Sequence, residues 1–509
     1  MTQVDGSTAA NAPSKESSKT MKEPTEKGQK TWVLALTSVA SLMVALDALV
    51  VTTALSTIRL DLGASIEALQ WTMNAYNLSF AVLLLTGAAL GDRFGRRRTF
   101  VAGLALFVAA SAACALARSA GFLIAARAVQ GAGAALVMPL AMALLSAAFP
   151  PQERGKALGV FSGLTGLALI AGPVVGGAVA ESIAWQWIFW INIPIGLIAI
   201  ALVSSHIPEG FGPGTALDLP GVALVTGAAL GVVWGLIRGN TAGWTSPEVA
   251  SALVAGFLLG ITFVAWELRA DAPMLPMRLF RSRAFSSGNA ASFLYSASLY
   301  GTVFFMAQFL QTALGHGPLG AGLRLLPWTA TLFVVAPIAG ALVNRMGEGS
   351  LIVFGLILQA IGMAWIALIA APNLAYAALV APLIVAGAGV SMAMPAAQNA
   401  VLSSVAQTEI GKASGTFNML RFLGGGSGIA IAVAVFAGNG NFGSPQAFSA
   451  GFAAAIGVAA GLSLLGAFAG MWQPARRTAA LAQVRAITLN KSDDTEAALM
   501  PYTRIGCPR

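Results

Sequence analysis

Long apolar runs separated by short polar segments occupy the chain from residue 32 to residue 472. Runs of 18 or more apolar residues predict transmembrane helices, because about 20 residues at 1.5 Å each cross a hydrocarbon core of about 30 Å. No segment repeats the alternation of apolar and polar residues that a membrane β-barrel requires. The pattern predicts an all-α polytopic membrane protein with fourteen transmembrane helices, at residues 32–54, 70–91, 99–117, 121–146, 158–180, 186–206, 219–238, 249–268, 285–310, 320–343, 350–370, 375–396, 413–437 and 450–472.

The charge content separates this chain from soluble proteins. Charged residues make up 10% of its 509 residues, whereas soluble domains carry about 25%. Residues 1–30 hold nine of the 49 charges and residues 473–509 hold another nine, which leaves 31 for the 442 residues between them. So few charges cannot cover the surface of a water-soluble protein. Soluble globular, disordered and fibrous classes are therefore excluded.

Lysine and arginine residues orient the predicted helices, because positive charge accumulates in cytoplasmic loops. With the N-terminus in the cytoplasm, 23 of the 29 basic residues fall in cytoplasmic segments and four fall on the outer side. We therefore expect both termini in the cytoplasm. The net charge of +9 is then a topological signal, and no nucleic-acid partner is expected. No cleavable signal peptide is evident, so the first helix should direct insertion.

Two halves of the sequence repeat one another. Gly155-Lys-Ala-Leu-Gly-Val-Phe recurs 256 residues later as Gly411-Lys-Ala-Ser-Gly-Thr-Phe. Gly131-Ala-Gly, followed by Met-Pro, recurs at the same offset from Gly387. The repeat predicts two six-helix bundles with a substrate route between them. The expected organisation is an N-terminal tail (1–30), an N-terminal bundle (31–206), an inserted helix pair with its linker (207–283), a C-terminal bundle (284–472) and a C-terminal tail (473–509).

Two charged residues stand inside otherwise apolar helices. Asp47 is the one acidic residue well inside a predicted helix, and Arg127 is a membrane-embedded arginine. Charges in the hydrocarbon core are costly and usually functional, with a partner nearby. A carboxyl that titrates near neutral pH suits a proton carrier, so Asp47 and Arg127 are predicted as a proton-coupling pair. The alternatives left open are a carboxylate and an arginine that are held by their neighbours for packing only.

Three glycine-containing motifs accompany these charges. Glycines let helices approach closely, and a proline inside a helix bends it and frees a carbonyl group. The helix-4 motif consists of Gln130, Gly131 and Gly133. The helix-5 motif consists of Gly159, Gly172, Pro173, Gly176 and Gly177. The cytoplasmic loop after helix 2, predicted as a gating loop, contains Asp92, Arg93, Gly95, Arg96 and Arg97.

These motifs resemble signatures of the major facilitator superfamily. Residues 88–97 resemble its loop signature G-x-L-a-D-R-x-G-R-K/R, although Ala88 replaces the first glycine. Helix 4 resembles the family motif that is tied to proton coupling, and helix 5 resembles the antiporter motif of its exporters, with Ala168 in place of one glycine. Segments 46–55 and 185–196 resemble the fourteen-span drug:proton antiporter branch. A simple positive-inside loop and a generic proline kink stay open as alternatives.

The resemblance implies a proton-coupled antiporter that exports lipophilic drugs or antibiotics across the bacterial cytoplasmic membrane by alternating access. It implies no enzyme activity, no metal and no cofactor, with the proton gradient as the energy source. The G-x4-G-K-[ST] motif of ATP-driven pumps is absent from the sequence. The expected partners are a lipophilic small molecule, protons and the lipid bilayer, and the expected state is a monomer. The rival hypotheses are an exporter dedicated to one endogenous metabolite or antibiotic, and a non-transporting membrane sensor.

Helices 9 and 13 carry the side chains of a possible substrate cavity. Aromatic residues in membrane helices also face lipid or protein core, so a packing role stays open for them. Helices 7 and 8 lie outside the repeat and carry no charge in their interiors, so we expect them to be peripheral to the substrate route. The candidate cavity residues are Tyr295, Phe305, Gln308, Phe309 and Arg421.

Overall fold

The computed structural model describes residues 26–212, 217–406 and 409–474, and every regular element in these ranges is helical. The predicted all-α fold is confirmed. A short 3-10 helix, Met277–Arg281, precedes α10. The α-helices are α1 (Glu26–Leu62), α2 (Ile66–Phe94), α3 (Arg96–Ala115), α4 (Ala120–Ala148), α5 (Pro151–Ser182), α6 (Trp187–Trp190), α7 (Asn192–His206), α8 (Leu219–Ala242), α9 (Pro247–Glu267), α10 (Arg283–Thr312), α11 (Pro318–Arg324), α12 (Leu326–Thr329), α13 (Thr331–Met346), α14 (Glu348–Ile369), α15 (Tyr376–Ser403), α16 (Ile410–Asn439) and α17 (Pro445–Met471).

Thirteen helices in the described ranges are long and apolar enough to cross a membrane, one fewer than the sequence predicts. Two of them join shorter elements, Trp187–His206 across α6 and α7 and Pro318–Val343 across α11 to α13. The remaining predicted span, 158–180, falls within α5, a helix of 32 residues. Several side chains of α5 lie outside the described residues. The count of fourteen therefore stays a prediction.

Serine residues begin several of these helices. Each serine side chain accepts a hydrogen bond from the backbone N–H three residues later, which satisfies one of the unpaired donors at a helix start. Each serine therefore marks the residue at which a helix begins, and it does so through a contact within three residues of the chain. The serines that cap α2, α4, α9, α10 and α17 are Ser65, Ser119, Ser246, Ser282 and Ser444.

The first seven helices form a bundle in which small residues bring backbones together. α4 packs against α2 and α3, α1 packs against α5, and α7 packs against α3 and α1. A methyl group at Gly133 of α4 would lie 2.7 Å from the backbone nitrogen of Phe107 in α3. Only a glycine lets the two helices come this close.

The helices α10 to α17 form a second bundle on the same plan. α10 packs against α16, α14 packs against α15 and α17, and α13 packs against α15. Gly389 of α15 meets the backbone of Gln359 in α14, as Gly133 meets Phe107 in the first bundle. Glycines 256 residues apart therefore make the equivalent helix contact in the two halves.

The helices α8 and α9 form a hairpin that packs against both bundles. α8 packs on α9 and also contacts α2 and α16, one helix from each bundle. Val233 and Ile237 of α8 form an apolar cluster with Leu78 of α2 and Ala430 of α16. The hairpin therefore covers the line along which α2 and α16 meet.

The two bundles meet where α2 contacts α16 and where α5 contacts α11. A methyl group at Gly177 of α5 would lie 2.3 Å from the Pro318 carbonyl oxygen of α11. One at Gly322 of α11 would lie 2.3 Å from the Pro173 carbonyl oxygen of α5. The backbones of the two bundles are therefore in direct contact near the end of α5 and the start of α11.

Candidate functional site

Asp47 and Arg127 form an ion pair inside the N-terminal bundle. Arg127 Nη1 donates to Asp47 Oδ2 at 2.5 Å, which joins α4 to α1. The exposed fraction is 1% for Asp47 and 0% for Arg127. Two charges are stable away from water only if they pair closely and their other hydrogen-bonding groups are satisfied. The structure thus brings together the two residues that the sequence singles out for proton coupling.

The second carboxylate oxygen of Asp47 is also engaged. Asp47 Oδ1 accepts from Gln130 Nε2 at 2.9 Å and from Asn192 Nδ2 at 2.8 Å. Asn192 Nδ2 also donates to Ser111 Oγ at 3.1 Å, and Ser111 Oγ donates to the Phe189 carbonyl at 2.9 Å. Three donors on two oxygens is an arrangement that suits a charged carboxylate. Side chains from α4 and α7 thereby hold the carboxylate of α1 in place, and Ser111 of α3 supports Asn192.

The Arg127 guanidinium also contacts α2. Arg127 Nε donates to the Thr72 carbonyl at 3.4 Å, and the guanidinium carbon lies 4.2 Å from the centre of the Tyr76 ring. Arg127 Nη1 donates further to Gln130 Oε1 at 2.7 Å. Within the described residues, Arg127 Nη2 has no hydrogen-bond partner. The arginine therefore links the carboxylate of α1 to the backbone of α2 and keeps one donor group available.

The helix-4 motif places α4 close enough to α2 for these contacts. Gln130 follows Arg127 by almost one helical turn, so both side chains point to the same side of α4. A methyl group at Gly131 would lie 2.4 Å from the Tyr76 carbonyl oxygen of α2. Gly133 makes the matching close contact with α3 described above. The two glycines therefore set how closely α4, and with it Arg127, approaches α2 and α3.

The helix-5 motif packs α5 on two neighbours at once. A methyl group at Gly172 would lie 2.7 Å, and one at Gly176 2.2 Å, from the nearest atom of α1, just beyond the ion pair along that helix. Gly177 and Pro173 face α11 of the other bundle. Gly159 lies in the first half of α5. Of the five motif residues, four therefore connect the helix of Asp47 to the contact between the bundles.

The predicted gating loop begins with two local contacts. Arg96 Nε donates to Asp92 Oδ1 at 2.8 Å, one helical turn away. Arg93 stacks over the neighbouring Phe94 ring, with its guanidinium carbon 5.4 Å from the ring centre. Both contacts lie within the N-terminal bundle.

Glu209, in the segment that follows α7, contacts the remaining residues of the predicted gating loop. The Glu209 carboxylate accepts from the backbone nitrogens of Arg97 at 2.9 Å and Arg98 at 3.3 Å, and so caps the N-terminus of α3. Gly95 has a φ of +105°, and a methyl group there would lie 2.8 Å from the Glu209 carboxylate. Glycine at this position is therefore required both by the backbone conformation and by the capping carboxylate.

Most of the candidate cavity residues of α10 lie in packed core. Phe305 stacks on Phe436 with ring centres 4.7 Å apart, and Phe309 stacks on Phe452 at 4.1 Å. Gln308 Nε2 donates to a carbonyl of its own helix at 2.8 Å. All three predicted side chains are buried. The contacts favour the packing alternative in this conformation, and a cavity role for these residues stays a prediction.

Tyr295 and Arg421, the other two candidates, lie on different helices. Tyr295 is buried and its hydroxyl accepts from Ser292 Oγ at 3.4 Å. Arg421 is half-buried, with its guanidinium carbon 5.1 Å from the centre of the Phe422 ring. The contact of Arg421 with the Phe422 ring is not evident from the sequence. A cavity-lining role for Tyr295 and Arg421 stays a prediction.

Three residues of the ion-pair site are absent from the sequence-based prediction. Asn192 donates to the carboxylate, Ser111 accepts from Asn192, and Tyr76 lies against the guanidinium. Asn192 stands within the motif at residues 185–196, and it is a carboxamide in an otherwise apolar run. That position is a usable signal. Ser111 and Tyr76 carry none, because serine and tyrosine occur in many membrane helices without a shared role.

Comparison with known proteins gives consistent results. The profile of the Major Facilitator Superfamily matches residues 37–429. The chain is 37% identical over 335 residues to the tetracenomycin C resistance and export protein of Streptomyces glaucescens, across 64% of this chain and 61% of that relative. It is 32% identical to the multidrug resistance protein Stp of Mycobacterium tuberculosis (strain CDC 1551 / Oshkosh), across 79% and 75% of the two chains. The human organic anion transporter MFSD10 shares the fold, with a TM-score of 0.57 at 16% identity over 88% of this chain and 100% of the transporter.

Proposed function

Because this chain belongs to the Major Facilitator Superfamily, we propose that it is a proton-coupled antiporter that exports lipophilic drugs or antibiotics by alternating access. Relatives named for antibiotic export and multidrug resistance support an export function. The proposal includes the fourteen-span drug:proton antiporter branch, the bacterial cytoplasmic membrane, and both termini in the cytoplasm. The chain acts as a monomer, and the proton gradient is its source of energy.

The observation that carries proton coupling is the buried ion pair between Asp47 and Arg127. A proton on Asp47 would remove the negative charge and leave Arg127 buried without its counter-charge. Leaving one partner of a buried pair uncompensated costs about 3–5 kcal/mol. Proton binding at Asp47 therefore favours a conformation in which the guanidinium moves to other partners or to water.

The contacts of Arg127 give this movement a path to the bundle interface. The guanidinium is bonded to the Thr72 carbonyl and stacked on Tyr76, both on α2. α2 in turn packs against α16 of the other bundle. When Arg127 changes partners, α2 loses its hold on α4 and α1, and the contact between the bundles is altered. Proton binding and alternating access are linked in this way.

The test compares proton-driven export by Asp47→Asn with export by a matched control. Asp47→Asn keeps the size and polarity of the side chain but removes the titratable group. The control is Asp61→Asn, since Asp61 lies on the same helix but at its C-terminal end, where Asp61 Oδ2 accepts a hydrogen bond from Trp185 Nε1 at 2.7 Å. In inverted vesicles with an imposed pH gradient, we expect the first variant to lose dye transport and the control to keep it. Gradient-driven transport by Asp47→Asn at the wild-type rate would refute the proposal.

A panel of compounds addresses the range of substrates. Expression in a pump-deficient host, followed by susceptibility tests with cationic dyes, quaternary amines and neutral polyketides, separates a multidrug exporter from one dedicated to a single antibiotic. Protection against several unrelated compounds supports the multidrug function. Protection against one compound class supports the dedicated exporter.

A further inference from the structure

Three carboxamide side chains lie on one face of α2, next to the other bundle. Gln70, Asn74 and Asn77 follow the spacing i, i+4, i+7, which puts them in one row along the helix. Their exposed fractions are 2%, 0% and 1%. Within the described residues, Gln70 Oε1, Asn77 Nδ2 and both amide atoms of Asn74 have no hydrogen-bond partner. We call these three residues the carboxamide strip.

Unpaired polar groups of this kind are expensive to retain. A buried donor or acceptor without a partner costs about 1–3 kcal/mol, and such groups in native proteins call for an explanation by a bound water, a ligand or another conformational state. The strip contains four such atoms on a helix that contacts the opposite bundle. Groups that go unpaired while the bundles touch can find partners when they separate.

The residue of α16 opposite Asn74 is a glycine. Gly426 of α16 stands there, and a methyl group at Gly426 would lie 3.5 Å from Asn74 Oδ1. Nearby Gly424 and Gly428 pack instead against the backbone of α10, where a methyl group would clash at 2.3 and 2.0 Å. Gly426 is thus a glycine that contact with α10 does not require, and it leaves room in front of Asn74 for a methyl group at ordinary contact distance and no more.

The strip and the ion pair lie on opposite sides of α2. Thr72 and Tyr76, which hold Arg127, are each two residues from Asn74 and therefore point about 200° around the helix from it. One helix thus connects the proposed proton site to the face that meets the other bundle. A molecule bound to the strip would sense the state of the ion pair through α2.

The charges near the strip offer no free carboxylate to a cation. Both oxygens of Asp47 are occupied by Arg127, Gln130 and Asn192. Glu67, three residues before Gln70 on α2, is paired with Arg238 at 3.4 Å. A cation moved next to the strip would therefore be desolvated without a counter-charge, which is strongly unfavourable.

We propose that the carboxamide strip binds the polar groups of an uncharged, lipophilic substrate rich in carbonyl and hydroxyl groups, once α2 and α16 separate. A carboxamide offers both a donor and an acceptor, so a row of three matches alternating carbonyl and hydroxyl groups and gives nothing specific to a cation. This inference rests on the proposed export function and names the substrate class of the exporter.

Equilibrium binding to the purified full chain in lipid nanodiscs tests the proposal with two probes. 1,8-Dihydroxyanthraquinone is neutral and carries two hydroxyls and two carbonyls; tetraphenylphosphonium is a lipophilic cation without hydrogen-bonding groups. We expect Asn74→Ala to raise the Kd for the anthraquinone about three- to tenfold and to leave any binding of the cation unchanged. The matched control is Asn418→Ala, since Asn418 donates to a carbonyl of its own helix at 3.0 Å.

A second variant guards against misfolding of the first. Gly426→Ala adds a methyl group at ordinary contact distance from Asn74, so it should fold and still weaken anthraquinone binding, because the methyl group covers Asn74 Oδ1 on the side from which a substrate would reach it. Its control is Gly438→Ala on the same helix, where a methyl group meets nothing within 4 Å. Unchanged anthraquinone binding in both test variants, or no binding by the wild type, would overturn the proposal. Binding needs no proton gradient, so gradient-driven transport by Asp47→Asn alongside strip-dependent binding would refute only the coupling proposal.

Discussion

Replacing Arg127 by alanine is expected to destabilise the N-terminal bundle strongly. The variant leaves the Asp47 carboxylate buried, with its contacts to Gln130 and Asn192 but without its counter-charge. Breaking a buried ion pair by removing one partner costs about 3–5 kcal/mol. Arg127→Ala also removes the bond to the Thr72 carbonyl and the contact with the Tyr76 ring. We expect the free energy of unfolding to fall by at least 3 kcal/mol.

A double-mutant cycle separates the ion pair from these other losses. Asp47→Asn supplies one oxygen where three donors converge, so it is destabilising too. The double variant Asp47→Asn with Arg127→Gln removes both charges and should recover part of the stability, because no uncompensated charge is left. Coupled transport should stay absent, because the titratable group is gone.

The assay is reversible unfolding in detergent micelles, followed by tryptophan fluorescence and repeated for the wild type, Asp47→Asn, Arg127→Gln and the double variant, with Arg127→Ala measured beside them. The control for general sensitivity is Asp61→Asn at the end of α1, which we expect to lie within about 1 kcal/mol of the wild type, because Asp61 is exposed and asparagine keeps an oxygen that can accept from Trp185 Nε1. A loss below about 1 kcal/mol for Arg127→Ala would refute the reasoning, because it would mean that the pair is hydrated or weak.

Three further predictions follow from the packing. Gly177→Ala should reduce transport severalfold, because the added methyl group pushes α5 away from the Pro318 carbonyl. Gly163→Ala is the control and should not reduce transport, since a methyl group there has no atom within 4 Å. Equal transport rates for the two variants would contradict the contact. Gly95→Ala should destabilise more than Gly347→Ala in melting experiments, since both have positive φ but only Gly95 faces a carboxylate; equal shifts would show that Glu209 is not a fixed cap. A cysteine at Ala255 of α9 should not be protected from labelling by substrate, and protection would place the inserted hairpin on the substrate route.

The sequence singles out the two residues of the ion pair because they lie in membrane-spanning helices. A hydrocarbon core makes isolated charges so costly that Asp47 and Arg127 stand out, and a buried charge is expected to have a partner of opposite sign nearby. Helix starts at serine caps are equally local. Asn192 stands out in its apolar run, but its bond to the carboxylate and the support that it receives from Ser111 arise only through the tertiary packing of α7 and α3 on α1.

The aromatic residues of α10 show the opposite limit. Phe305 and Phe309 occupy positions that suit either a cavity or a core, and periodicity in an apolar helix does not say which face meets another helix. In the structure their rings stack on Phe436 and Phe452. The sequence does not single out the carboxamides of α2 for a related reason: whether they have hydrogen-bond partners depends on the tertiary packing of α2.

Proton release on substrate binding tests the central proposal most directly. Purified protein in weakly buffered detergent solution is mixed with a transported compound, and the pH change is followed with an indicator dye. The account predicts release of protons by the wild type and by Asp61→Asn, and none by Asp47→Asn, at matched substrate occupancy. Equal release by Asp47→Asn would contradict it, because the exchanged proton would then come from another group.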